Sequence, residues 1–177
     1  MVYRVEWVVV GRSNHHCQGL GMPSKPDNMA SAVLLRPARV TDLPAIYRGE
    51  LGYIRQWEPQ HEHAWQMAAE QNLVQWVENF ERLTVACLED RLVGYSLWAD
   101  ELGYAQLCTL HVSEAYRRKG IGRRLVGAYI EQARQAGLER LSLDVRGDNP
   151  ARLLYEQAGF VEIGVNARGY LHYERQC

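Results

Sequence analysis

At 177 residues the chain has the length of one ordinary domain with a real core. Its 20 Lys+Arg against 21 Asp+Glu leave a net charge of −1, which excludes a nucleic-acid-binding surface built on overall basicity. No run of eighteen apolar residues and no signal-peptide pattern is present, so no membrane span or secretion is expected; the four cysteines lack CxxC spacing, which makes a reducing cytoplasm the default.

Residues 1–31 stand apart from the rest. Residues 3–10 suit a strand, but 11–31 are rich in Gly, Ser, Asn, His and Pro without any period, so a flexible leader is expected ahead of one domain over residues 32–177. Met22 and Met29, just before the first regular strand, suit an alternative start or a non-native leader as well as a functional arm.

Residues 32–36 read as a short strand. Thr41 and Asp42 then offer a helix N-cap with Pro44 in the first turn, and Leu43, Ile46, Tyr47, Leu51 and Ile54 recur at helical spacing. After the break at Trp57-Glu58-Pro59, a second helical stripe runs through Trp65, Ala69, Leu73, Trp76, Val77 and Phe80. Residues 84–88 and 92–98 form an antiparallel hairpin around Glu89-Asp90-Arg91, followed by a strand over 104–112.

A helix burying Leu125, Val126, Tyr129, Ile130 and Ala133 stops at Gly137, and Leu141, Leu143 and Val145 alternate as the next strand. Asn149 with Pro150 starts a short helix that Gly159 ends, and residues 161–165 and 170–174 close a final hairpin. The order β-α-α-β-β-β-α-β-α-β-β predicts an α/β fold, a mixed sheet with helices on both faces.

The stretch LCTLHVSEAYRRKGIGRRL, residues 107–125, joins a strand to a helix through a basic, glycine-rich turn. Gly120 and Gly122 leave bare backbone at its tightest point, the first helical turn leaves N–H donors unpaired at the positive end of the helix dipole, and Arg117, Arg118, Lys119, Arg123 and Arg124 add charge. Such a turn is built to hold a phosphate group. It is neither GxxxxGK[ST] nor a dinucleotide fingerprint, since Leu125 stands where the third glycine belongs.

Arg117-Arg118-Lys119-Gly120-Ile121-Gly122 resembles the R/Q-x-x-G-x-G/A loop of the GNAT acyltransferase superfamily. Asn149 to Phe160, reading NPARLLYEQAGF, is similar to that family's later N-x-x-A-x-x-x-Y-x-x-x-G-F segment. The resemblance covers roughly residues 32–175 and implies an α+β fold with a mixed, mostly antiparallel sheet. It also implies transfer of an acetyl group from acetyl-CoA to a primary amine of a small molecule or peptide, without a metal. On this resemblance, backbone groups of Leu110, His111 and Val112 meet pantetheine in a gap between two diverging strands. Arg117, Arg118, Lys119, Gly120, Ile121, Gly122 and Arg123 hold the diphosphate, Asn149 touches the pantetheine arm besides capping its helix, and Tyr155 protonates the departing thiolate.

A phenol and a thiol have reference pKa values of roughly 10 and 8.5, close enough for such a transfer. A lysine-like amine is protonated at neutral pH, and removing its proton costs about 4 to 5 kcal/mol without a base. Where family members carry a carboxylate, this chain has Gln106, which accepts no proton. By strand alternation His111 points opposite to Gln106, Cys108 and Leu110 unless a bulge intervenes, and water relayed to Asp100, Glu101 or Glu62 is the other route. Cys108 reads as core rather than nucleophile, and the pairs His15-His16 and His61/His63 as solvated loop residues.

The acceptor is expected against residues 53–65 and the closing hairpin with Tyr170, His172 and Tyr173, where aromatics near Glu50, Glu58 and Glu62 suit a cationic amine. The same aromatics also suit a core or a homodimer surface. Two readings follow: an N-acetyltransferase acting by direct attack in a ternary complex, or a non-catalytic acyl-CoA-binding module that senses or regulates. Gln106 motivates the second and Tyr155 argues against it.

Overall fold

Seven short runs of apolar and β-branched residues pair into one sheet in the order β1-β2-β3-β4-β5-β7-β6. They are β1 (Val33–Pro37), β2 (Leu83–Leu88), β3 (Arg91–Asp100), β4 (Ala105–Val112), β5 (Arg140–Val145), β6 (Val161–Val165) and β7 (Leu171–Gln176). The computed structural model describes residues 32–177; the leader, its candidate strand, His15, His16 and Cys17 lie outside the described residues. Among the described strands only the β4–β5 contact is parallel. The mixed, mostly antiparallel sheet implied by the resemblance is therefore present.

Strands β2 to β5 are buried almost continuously because helices cover both faces of the sheet. On one face lies α1 (Leu43–Trp57), whose Ile46 carbonyl accepts from the Tyr95 hydroxyl of β3 at 3.3 Å. Two short helices, α2 (Glu62–Met67) and α3 (Ala69–Glu78), pack on α1 through Tyr47, whose ring centroid stands 5.1 Å from that of Trp65 and 6.5 Å from that of Trp76. On the other face α4 (Ile121–Gln135) buries Leu125, Val126 and Tyr129, and its Gln132 accepts from the Trp98 indole at 3.0 Å. The short α5 (Arg152–Gln157) lies on the same side.

Three local expectations are corrected. The second stripe is two helices rather than one, broken at Ala68, and its buried line is Trp65, Asn72 and Trp76, while Leu73 and Val77 are 45% and 57% exposed. The two tryptophans bury the most area and decide which side faces α1; Asn72, caught between them, donates to the Trp65 carbonyl at 3.4 Å. Asp42 does not cap α1. Its carboxylate turns back to accept from the Arg39 N–H at 2.7 Å and from Arg36 at 2.7 and 3.0 Å. Asn149 lies three residues ahead of α5, and its Oδ1 accepts from the Ala151 N–H at 2.9 Å, an Asx turn rather than a helix cap.

Candidate active site

β4 and β5 pair only at Ala105–Leu141, Gln106–Ser142 and Leu107–Leu143, although β4 runs on to Val112 and β5 to Val145. Beyond that point β3 holds β4 as far as the pair Gly94–Val112, and β7 holds β5 as far as Val145–Leu171. Each strand stays with its own half of the sheet, so a fork opens between them. The Tyr129 hydroxyl closes the fork at its base, 2.7 Å from the Ala105 carbonyl and 3.2 Å from that of Ser142.

At the open end of β4 the chain makes one tight turn over Glu114–Tyr116, passes Arg118 at φ +61° and Gly120 at φ +78°, and enters α4. Glycine adopts that backbone without the strain a Cβ brings, and at Gly122 a Cβ would stand 3.1 Å from Leu154 of α5. The first helical bond runs from the Arg124 N–H to the Gly120 carbonyl at 3.2 Å. Ile121, Gly122 and Arg123 therefore present N–H groups with no acceptor inside the helix, at its positive end.

The basic side chains divide. Arg117 turns inward, its Nε donating to the Val112 carbonyl at 3.0 Å, and burial lowers its pKa. Arg124 likewise donates to the Val33 carbonyl. Arg118 is exposed, Lys119 lies over the Tyr116 ring at 5.4 Å, and Arg123 donates to Gln157 at 3.4 Å.

The expectation that His111 opposes Gln106 is overturned by a bulge in β4. Leu107 pairs with Trp98 and Thr109 with Leu97, so Cys108 is an extra residue on β4. Cross-strand partners share a face, which places Gln106, Thr109 and His111 with Ala99, Leu97 and Tyr95 on the α1 side. His111 stacks on Tyr95 at 5.1 Å, and burial, reinforced by Arg117, lowers its pKa to about 4. Glu50 of α1 is buried on the same face, accepting from Tyr95 at 2.7 Å and Thr109 at 2.9 Å; burial outweighs those donors and raises its pKa to about 7. Gln106 accepts from the Ser142 hydroxyl at 2.6 Å, and its Nε2 is buried with no acceptor among the described residues. Asp100 and Glu101 sit at the opposite end of β4, where Asp100 pairs with Ala105. That end is remote from the fork.

Tyr155 lies on the other face. Its ring meets Phe160 edge-on at 6.2 Å, and Phe160 stacks on Tyr129, also at 6.2 Å, which ties Tyr155 to the base of the fork. No described residue hydrogen-bonds to its hydroxyl, and burial raises its pKa. Asn149 is buried with Oδ1 engaged, and its Nδ2 has no acceptor among the described residues.

On the α1 face a cavity of about 760 Å³ opens between the end of α1, α2, the turn after β5 and the turn before β7, with Ile54, Glu58, Trp65, Arg146 and Tyr170 among its walls. Glu58, 6% exposed, accepts from the hydroxyls of Tyr170 at 2.6 Å and Tyr53 at 3.3 Å. Arg146 is bound to Asp148 at 3.0 and 2.9 Å and to the Trp57 carbonyl at 3.3 Å. One step deeper along β5 and β7, Asp144 Oδ1 meets His172 Nδ1 at 2.7 Å.

Of the region expected from the sequence, Ile54, Glu58, Trp65 and Tyr170 are among the cavity walls, while the Asp144–His172 pair was not anticipated. The signal was the alternation Ser142, Asp144, Arg146, which sets three polar side chains on one face of β5. Four other expected residues do not line the cavity: His172 is bound to Asp144, Tyr173 faces α5 and donates to Glu156 at 3.0 Å, Glu62 pairs with Arg55 at 2.7 Å, and Glu50 belongs to the interior. Among the described residues no three metal-ligating side chains gather, and no helix is long and apolar enough to cross a membrane.

The sequence profile of the Acetyltransferase (GNAT) family matches residues 50–160. The chain belongs to the GNAT family. The [ribosomal protein bS18]-alanine N-acetyltransferase of Haemophilus influenzae is 32% identical over 81 residues, 46% of this chain and 56% of that enzyme, so the match spans little more than half of the relative. Among solved structures, the ribosomal-protein-alanine N-acetyltransferase of Brucella melitensis superposes with a TM-score of 0.69 at 25% identity, over 81% of this chain and 99% of that one. The PaiA N-acetyltransferase of Thermoplasma acidophilum, solved in complex with coenzyme A, gives 0.69 at 17% identity over 82% and 99%, a likeness of GNAT fold alone.

Proposed function

We propose that the protein transfers an acetyl group from acetyl-CoA to a primary amine, by direct attack in a ternary complex. The fork carries this reading: it has a bare-amide turn at one end for a diphosphate and a cavity on the α1 face for an acceptor. Pantetheine lies along the open edge of Leu110, His111 and Val112. Its diphosphate meets the N–H groups from Arg118 to Arg123, with Arg118, Lys119 and Arg123 supplying outward charge and Arg117 bracing the loop. The orphaned Asn149 Nδ2 donates to the pantetheine arm.

The amine nitrogen attacks the thioester carbonyl from the α1 face, the C–S bond breaks, and the thiolate leaves toward Tyr155, which gives it a proton. Burial raises the Tyr155 phenol and equally a thiolate formed beside it, so donor and acceptor stay matched. Asp144, the first residue of β5 past the ladder and held by His172, is the carboxylate best placed to take the amine's proton. His111, with its lowered pKa, is the weaker base.

Relatives named ribosomal-protein-alanine N-acetyltransferases favour the α-amine of a peptide or protein N-terminus as acceptor. The buried thiols Cys87 and Cys108 suit a reducing cytoplasm, and the exposed row Val161, Ile163 and Val165 on edge strand β6 supports a homodimer. Residues 1–31 are read as a leader dispensable to the domain. The test is thiol release from acetyl-CoA with an N-terminal-alanine peptide, spermidine and glucosamine. Turnover of any one supports the transferase; coenzyme A binding without turnover favours the sensing module.

A further inference from the structure

We infer that Glu58 is the specificity-determining residue of the acceptor cavity: its carboxylate binds the protonated amino group of the incoming acceptor and selects cationic acceptors over neutral or anionic ones. The role rests on acetyl transfer to an amine, and it assigns the recognition step to a residue outside the fork.

Glu58 is 6% exposed and lines the cavity wall, an unfavourable place for a carboxylate without a cation. Both of its hydrogen-bond donors, Tyr170 at 2.6 Å and Tyr53 at 3.3 Å, point at Oε1. Oε2 accepts nothing among the described residues, and no described Lys, Arg or His forms an ion pair with Glu58. Two phenols fix the carboxylate in place but carry no charge to balance it.

One cationic group of the wall is already committed. Arg146 binds both oxygens of Asp148 and the Trp57 carbonyl, so it acts on Glu58 only through space, without a direct ion pair. Arg168 sits on the exposed rim. The wall also carries Ile54, Ala64, Trp65 and Ala68, together with the polar Gln60 and His61, neither of which bonds to the Glu58 carboxylate. A cavity in which the Glu58 carboxylate is fixed by two phenols, has no direct ion pair and leaves Oε2 unengaged beside the Tyr170 and Trp65 rings suits an ammonium group, which can donate to Oε2 while meeting the ring faces. A carboxylate or phosphate on the acceptor would meet Glu58 as a like charge.

The experiment compares wild type with Glu58→Gln, which keeps the shape and still accepts from both tyrosines. Acceptors are the N-terminal-alanine peptide, spermidine and glucosamine, and the competitor is the peptide with a hydroxyl in place of its amino group. Coenzyme A affinity by calorimetry and the melting temperature report on fold and cofactor site in both proteins. The expected result is a KM for the amine raised about 10- to 100-fold, the range for hydrogen bonds to a charged group, with kcat within threefold. The variant should also lose the wild type's preference for amine over hydroxyl peptide, and Tyr170→Phe should give a smaller rise in KM.

An unchanged KM in Glu58→Gln, or a fall in kcat at constant KM, overturns the role. If wild type binds coenzyme A but acetylates none of the three amines, acetyl transfer itself fails, and the role of Glu58 falls with it.

Discussion

The Thr109 hydroxyl of β4 reaches the Glu50 carboxylate of α1 at 2.9 Å, on the oxygen that also accepts from Tyr95 at 2.7 Å. Burial raises the Glu50 pKa from 4.5 to about 7, so the folded protein keeps a proton that the unfolded chain releases. The resulting stability is fully present below about pH 4.5 and is lost as pH rises through 7. Glu50→Gln should remove this slope, giving a variant less sensitive to pH between 5 and 7.5; the difference is at most about 3 kcal/mol. His111 acts with the opposite sign, its contribution being lost as pH falls toward 4, but it is common to both proteins. Urea unfolding of the pair across this range checks the prediction, and parallel curves refute it.

A Cβ added at Gly49 would stand 2.4 Å from the Tyr95 hydroxyl and 3.0 Å from its ring. Gly49→Ala gains about 1 kcal/mol of helix propensity but forces a buried, hydrogen-bonded ring to move. The net loss should be about 1 to 3 kcal/mol by urea unfolding.

Gly120→Glu should weaken coenzyme A binding at least 100-fold by calorimetry, since it sets a negative side chain at the start of α4 and strains a φ of +78°. Gly120→Ala separates the two effects: it carries the strain, about 1 to 2 kcal/mol of stability, without the charge.

Tyr155→Phe should lower kcat about 100-fold or more with coenzyme A affinity unchanged, because the hydroxyl lacks a structural partner among the described residues. Equal turnover in steady-state assays would remove Tyr155 from the chemistry.

Asp144→Asn should lower kcat/KM about 100-fold near neutral pH. The deficit should shrink above about pH 9, where a growing share of amine is already deprotonated. A deficit constant with pH would make Asp144 a structural partner of His172 only.

The elements were legible in the sequence because alternation, helical spacing and glycine position are properties of a few neighbouring residues. The turn from Arg117 to Arg123 was likewise legible, since glycine backbone ahead of a helix leaves N–H groups without partners inside the helix wherever it packs. Charges in that turn were not: Arg117 and Arg124 are drawn to carbonyls of β4 and β1, which only the assembled sheet puts within reach.

What the chain's order of residues determined by itself was therefore the strand and helix succession, the bare-amide glycine turn and the Asn149–Phe160 segment. Tertiary structure alone decided the rest of the site. The bulge at Cys108, which brings His111 to the side of Gln106, depends on the partner strand β3. The Glu58–Tyr170 bond joins residues 112 positions apart. Asp144 stands at the opening of the fork only because β7 and β3 pull β5 and β4 apart after Leu143. Local sequence encodes backbone preference, whereas a cavity wall is set by which distant strands compete for the same partner.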